Sequence, residues 1–324
     1  MTSKHLTLEQ TAARLLAADD ILLLAHQYPD GDTVGSCVGL CLALQALGKR
    51  AAVACNDPIP EKYAYMTADL PALDFTPQFI CAVDVADAKL LGPNMQHYAD
   101  KVDLCIDHHG TNVEYAKELL LDAECAAAAM LIFRLLPHLG VSLSPAIAQC
   151  IYTGMATDTG CFKYSNTTAE THRYAAACMD TGIPYSDINR AMFDIKSRAR
   201  LELERQALQN MAFYYNGRVA VMTITNDMIS KSGAGENDLE GLPPIPRQIE
   251  GVWVGVTLRQ KNDGSYKISL RTGNHANAAE ICRLFGGGGH AAAAGCTIAL
   301  PPQEAIEKIV TTIGDTVPRI KESV

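Results

Sequence analysis

Four clusters of carboxylate and imidazole side chains each close an apolar run or a helix-like stretch of this chain. His26, Asp30 and Asp32 follow residues 21–25, and Asp84 follows residues 79–83. Asp107, His108 and His109 follow residues 102–106, and Asp158 ends a stretch over 146–156. Carboxylates and imidazoles without thiolates suit Mn²⁺ or Mg²⁺ better than structural Zn²⁺. The set His26, Asp30, Asp32, Asp84, His108 and Asp158 exceeds what one ion needs, so the pattern calls for two ions. Asp84 is the natural bridging carboxylate, because its segment supplies the fewest alternatives. Two ions side by side can generate a hydroxide and clamp the attacking and leaving oxygens of a phosphoryl transfer. Taken singly, Pro29-Asp30-Gly31 is an ordinary turn, Asp32 a helix cap and Asp84 a strand-end carboxylate. Their occurrence together at four element ends favours the metal reading.

The elements that must position them are legible in the same residues. Residues 21–25, 50–55, 79–83 and 102–106 are near-continuous apolar runs, as expected for parallel strands buried on both faces. Residues 34–47, stopped by Gly48, read as a helix, as do 124–136 and 145–157. A further amphipathic helix is expected from Thr7, with Gln10 completing a capping box. The pattern predicts an α/β fold, doubly wound, whose ligand site lies at the carboxyl ends of the strands.

Residues 185–210 are charged and helical, and read as a linker between a domain at 1–184 and a smaller α/β domain at 211–324. In the latter, strands are expected at 218–225, 252–260, 265–271 and near 296–300, with helices at 276–285 and from Pro302. Asp263-Gly264 marks a hairpin. The run Gly286-Gly287-Gly288-Gly289-His290 lacks every Cβ ahead of the histidine, so its amides can approach a phosphate closely. Arg271 can make a bidentate phosphate contact. These residues read as the far wall of an interdomain cleft that closes over a ligand.

With 324 residues, 48% of them hydrophobic, the chain can build two cores. Its formal net charge of −9 disfavours a long duplex or single strand, which needs many phosphate contacts, and favours a short anionic ligand. No run is long and apolar enough to span a bilayer, and no secretory signal is read at the start. The 11 cysteines, with no Cys-x-x-Cys pair, read as reduced thiols of a cytoplasmic protein. Trp253 reads as core.

The motifs resemble those of the DHH phosphoesterase superfamily. His26-Gln27-Tyr28-Pro29-Asp30-Gly31-Asp32, Val83-Asp84-Val85-Ala86-Asp87, Asp107-His108-His109 and Ala156-Thr157-Asp158-Thr159-Gly160 look like its four motifs, in order. Gly286 to His290 with Ala293-Ala294-Gly295 is similar to the glycine-rich motif of the associated C-terminal domain, and Ser269-Leu270-Arg271 to its arginine-bearing strand. The length resembles the NrnA-like branch, oligoribonucleases that often also dephosphorylate pAp. The resemblance implies two Mn²⁺ ions, with Mg²⁺ or Co²⁺ as substitutes. One would be held by His26, Asp30 and Asp84, the other by Asp32, Asp84, His108 and Asp158. It implies that Asp107 orients the neighbouring metal-bound imidazole and that His109 faces the scissile phosphate. It also implies that Arg271, Gly287, Gly288, Gly289 and His290 bind substrate. The chain departs from the family pattern at residues 126–130, which carry no polar side chain to cap the following helix. Thr272-Gly273 is likewise a looser match after Arg271.

The expected activity is hydrolysis of short RNA to mononucleotides and of pAp to AMP. Cyclic di-AMP or its linear product is the alternative substrate. A RecJ-like exonuclease would need an extra strand-binding domain, and a family II pyrophosphatase lacks the glycine-rich motif. From another class, a nucleotide-binding regulator would lack one of the six ligands, all of which are present. A homodimer is compatible with this reading.

Overall fold

The apolar runs of the first half become strands of one parallel sheet, and the acidic clusters follow the carboxyl ends of three of them. The computed structural model describes residues 2–322 except residues 69, 71 and 240. It divides into two units, Met1–Ile195 and Lys196–Val324.

The first unit contains β1 (Lys4–His5), α1 (Leu8–Ala17), β2 (Ile21–Leu24), α2 (Gly31–Ala46), β3 (Ala51–Ala54) and α3 (Ala64–Thr67). These are followed by β4 (Phe79–Val83), β5 (Leu104–Asp107), β6 (Glu118–Leu121), α4 (Ala128–Leu139), α5 (Pro145–Asp158), α6 (Ala169–Asp180) and α7 (Tyr185–Asn189). The strand order is β1-β6-β5-β4-β2-β3, and every adjacent pair is parallel. Leu24 lies opposite Ala82 and Val83 opposite Ile106, so β2, β4 and β5 end at one edge.

Period-two alternation splits the strands between two cores. Ile21, Leu23, Cys81, Val83, Leu104 and Ile106 join a core built from α1, α2, α4 and α5. Leu22, Leu24, Ile80, Ala82 and Cys105 join a second core with Leu91, Val102 and Ala116. The second face is thus covered by loops and 3-10 turns, at Ala88–Leu91 and Gln96–Tyr98, in place of long helices. The Thr7–Gln10 capping box starts α1 as expected. β1 and β6, which carry no long apolar run, were not legible, and neither was α6.

Residues 185–210 do not form a separate linker element. α7 falls in the first unit, while α8 (Arg198–Gln209) falls in the second and buries Leu203 and Ala207 against Met222 and Ile224. Its charged face is paired internally, with Glu204 accepting from Lys196 at 2.9 Å and from Arg200 at 3.3 Å.

The second unit continues with β7 (Ala212–Tyr214), β8 (Val219–Ile224), α9 (Asn226–Ser232), β9 (Val254–Gln260), β10 (Tyr266–Thr272) and α10 (Ala278–Arg283). It ends with β11 (Gly288–Gly289), β12 (Ala293–Ile298) and α11 (Pro302–Thr316). Its sheet is mixed, in the order β11-β12-β10-β9-β8-β7, with β8 and β9 parallel and the other pairs antiparallel. The expected hairpin turns at Gly264, whose φ of +82° suits glycine. Among the described residues no helix is long and apolar enough to cross a membrane.

Candidate metal centre

The loop after β2 carries the first two candidate ligands, His26 and Asp30. The His26 ring Nδ1 lies 2.8 Å from the Gln27 carbonyl, which fixes the proton there and leaves Nε2 with its lone pair free for a metal. Nε2 lies 3.6 Å from Asp30 Oδ1 and 3.6 Å from Asp84 Oδ2. Asp30 is the N-cap of α2, and its Oδ1 accepts the amides of Asp32 at 3.0 Å and Thr33 at 3.1 Å. The turn and cap readings of this loop therefore hold alongside the ligand reading.

Asp32 sits in the first turn of α2 and is fully buried. Its carboxylate accepts the amides of Ala128 at 2.6 Å and Ala129 at 3.0 Å, and the Ser36 hydroxyl at 3.1 Å. It therefore caps α4, whose own N-cap residue Ala127 offers no side chain. The polar group missing from residues 126–130 is supplied by α2. Gly154 of α5 makes room for this arrangement: a Cβ there would lie 2.7 Å from Asp32 Oδ1 and 2.6 Å from the Ala129 Cβ.

Asp84 follows β4 directly, with its amide bonded to the Ile106 carbonyl at 2.8 Å and a left-handed φ of +62°. Strained backbone of this kind persists only where the surroundings over-determine it. Its Oδ2 faces His26 Nε2, and its Oδ1 lies 3.5 Å from His108 Nε2. Oδ1 is buried and has no hydrogen-bond partner among the described residues. His108 Nε2 also lies 3.5 Å from Asp158 Oδ2, at the end of α5, and 3.8 Å from Asp32 Oδ2.

The imidazole that Asp107 orients is that of His109. Asp107 Oδ1 lies 2.8 Å from His109 Nδ1 and accepts the backbone amides of His108 and His109. Its Oδ2 accepts from Asn112 Nδ2 at 2.7 Å. His108, expected as a metal ligand, is oriented otherwise, with its Nδ1 3.1 Å from the Cys125 carbonyl. A backbone carbonyl in this role fixes the tautomer as well as a carboxylate does. Cys125 lies in a turn fastened by Asp122, which is itself bonded to Arg134 at 2.7 Å.

The electrostatics follow from burial of like charges. Burial, then the carboxylates of Asp32, Asp30, Asp107 and Asp158, drive Asp84 well above the usual carboxylate range. Burial also raises Asp32, against the opposing pull of His108. Asp158 is pushed up to about 8 by burial and the charges of Asp32 and Asp30. Burial raises Asp107 too, but its bonds to His109 and Asn112 outweigh that and hold it low. The Asp107 bond in turn raises His109. Three groups of side chains bring their potential ligand atoms within 4.8 Å of one another: His26, Asp30 and Asp84; Asp32, His108 and Asp158; and Asp84, His108 and His109. The first has the three members of one expected set; the second has three of the four members of the other, without Asp84, which groups with His108 and His109 instead. The oxygen-and-nitrogen donor set and the orphaned Asp84 Oδ1 fit hard divalent cations, which would offset the mutual repulsion of the carboxylates.

The expected substrate residues cluster in the second unit. Arg271 of β10 lies opposite Ala293 of β12, and Gly288 and Gly289 pair with Gly295 and Ala294. Gly288 and Gly289 thus form a short edge strand, and His290 starts the turn into β12, its amide donating to the Ala293 carbonyl at 2.8 Å. A Cβ at Gly287 or Gly289 would collide with β12 backbone, whereas nothing stands within 4 Å of one at Gly288. Close packing therefore accounts for two of these glycines and leaves Gly288 open to a ligand.

Comparison with known proteins places the chain in a family. A model of the DHH family N-terminal domain matches residues 20–155, and one of the DHHA1 domain matches residues 216–318. The bifunctional oligoribonuclease and PAP phosphatase NrnA of Thermus thermophilus is 32% identical over 308 residues, covering 92% of this chain and 90% of the relative. The Bacillus subtilis protein of the same name is 26% identical and covers 86% of this chain and 90% of its own length. An exopolyphosphatase-related protein from Bacteroides fragilis superposes with a TM-score of 0.88 at 27% identity, covering 97% of each chain. With both domains matched in order and this identity across nearly its whole length, the chain belongs to the DHH phosphoesterase superfamily, in its NrnA-like branch.

Proposed function

We propose that this chain is a Mn²⁺-dependent phosphodiesterase and phosphatase that hydrolyses short oligoribonucleotides to mononucleotides and pAp to AMP. The observation that carries the reading is Asp84, whose two oxygens face two different ligand groups. His26, Asp30 and Asp84 would hold one ion, and Asp32, Asp84, His108 and Asp158 the other. When bound, the ions supply Lewis-acid polarisation of the phosphoryl group and acidify water toward neutral pH. The residues of the chain do the rest. The bond to Asp107 raises His109 and so favours its imidazolium, the form that would bind a phosphoryl oxygen and pass a proton to the departing alkoxide. In the second unit, Arg271, His290 and the open Gly288 would bind a phosphate group, whereas the Gly287 amide is already given to the Cys282 carbonyl at 2.9 Å. Substrate preference for short nucleotides is supported by the relatives named NrnA and by the acidic balance of the chain. The free thiols of all 11 cysteines support a reducing, cytoplasmic setting.

Release of AMP from 5′-phosphorylated pApA, with Mn²⁺ and again with a chelator, tests the reading. Fast Mn²⁺-dependent release is expected, with pAp, longer RNA and cyclic di-AMP ranked beside it by rate. Absence of release in protein shown to bind Mn²⁺ would overturn it.

A further inference from the structure

We propose that Tyr28 is the stacking platform for the nucleobase of the nucleotide whose phosphate is processed at the metal centre, an inference that rests on the nucleotide phosphoesterase reading above. Tyr28 lies two residues from His26 and two from Asp30, both members of the first ligand group. Its Cα is therefore within about 7 Å of either ligand's Cα. At 76% exposure, its side chain is the most exposed large hydrophobic residue among those described. Its φ of +54° lies in the left-handed region, where a bulky residue is out of place.

The strain is held in place by the neighbouring loops. Gln27 donates its amide to the Leu90 carbonyl at 2.6 Å, and Tyr28 donates its own to Asp57 Oδ2 at 2.9 Å. Asp57 is braced in turn by Asn56 at 2.9 Å. Glycine or asparagine would adopt this backbone at less cost, and so exposed a ring adds little to the core. The fold alone gives no reason for an aromatic here, but a ligand does. An exposed ring on a backbone pinned next to the candidate ligands His26 and Asp30 suits base stacking, and stacking tolerates any base because each has a π face. Tyr28 would thus favour nucleotides that carry a base over those without one, with little discrimination among bases.

The test is calorimetric binding of AMP and of ribose 5-phosphate to the full chain in the presence of Mn²⁺. Wild type and Tyr28→Phe are expected to bind AMP roughly ten- to a hundredfold more tightly than ribose 5-phosphate. Tyr28→Ala is expected to lose that preference through weaker AMP binding alone, with ribose 5-phosphate affinity and melting temperature unchanged. A preserved preference in Tyr28→Ala, an equal loss for both ligands, or no preference in wild type would overturn the proposal. Turnover of pApA by the same preparations reports separately on the substrate reading. Wild type that prefers AMP yet leaves pApA intact would sink that reading and leave the platform standing.

Discussion

The carboxylate of Asp32 accepts the amide of Ala128 at 2.6 Å, so a residue expected to be a metal ligand also caps a helix 96 residues further along. The two roles can be separated by substitution. Asp32→Asn removes a buried charge and keeps one acceptor for Ala128 but turns its NH2 on Ala129, so the metal-free protein should melt above Asp32→Ala while Mn²⁺ affinity falls. Asp32→Ala orphans the amides of Ala128 and Ala129 and should cost about 1–2 kcal/mol in addition. Thermal melts with and without Mn²⁺ check both; equal melting of the two variants would remove the capping role.

The raised carboxylates make the stability of the metal-free protein fall with pH. A folded pKa above the unfolded one favours the protonated folded state, so the contribution of Asp158 is full below its ordinary value of 3.8 and is lost as pH rises toward about 8. Asp84 and Asp32 act in the same direction. The raised His26 and His109 add the same sign above about pH 6.5. The low Asp107 acts oppositely, but only below pH 4. Between pH 5 and 8 the metal-free melting temperature should drop, and Mn²⁺ should restore it most at pH 8. A flat profile would show that these carboxylates are not mutually repelled.

Asp107 should set the alkaline limb of activity through His109. If His109 works protonated, kcat falls as pH rises through its pKa. Asp107→Asn removes the charge 2.8 Å from Nδ1, so that limb should move to lower pH. Mn²⁺ affinity should fall less than it does in Asp32→Asn. An unmoved limb would take His109 out of proton transfer.

Strand ends were the legible part of this site, because an apolar run that stops on His26, Asp84 or Asp107 announces both a buried strand and a polar edge. The amides of Ala128 and Ala129 and the carbonyl of Cys125 were not legible, because backbone groups carry no residue-type signal and their partners are far away in sequence. The resemblance pairs Asp107 with the neighbouring metal-bound imidazole, whereas the carboxylate here bonds the ring of His109 and His108 bonds the Cys125 carbonyl. The left-handed Asp84 had no signal at all, since aspartate ends strands in ordinary conformations too. Two-residue strands such as β1 and β11 lie below what periodicity resolves.

In the second unit, Arg271→Ala should raise KM for pApA roughly tenfold or more while leaving Mn²⁺ affinity and melting temperature near wild type. A matching loss of metal binding would contradict its assignment to substrate.

The central claim is that Asp84 is shared by two ions, and counting bound Mn²⁺ in wild type and Asp84→Ala by calorimetry tests it most directly. Two ions per wild-type chain are expected, with both sites weakened together in Asp84→Ala and AMP release from pApA abolished. Two ions bound at wild-type affinity in Asp84→Ala, or near-normal turnover, would contradict the shared-ligand account.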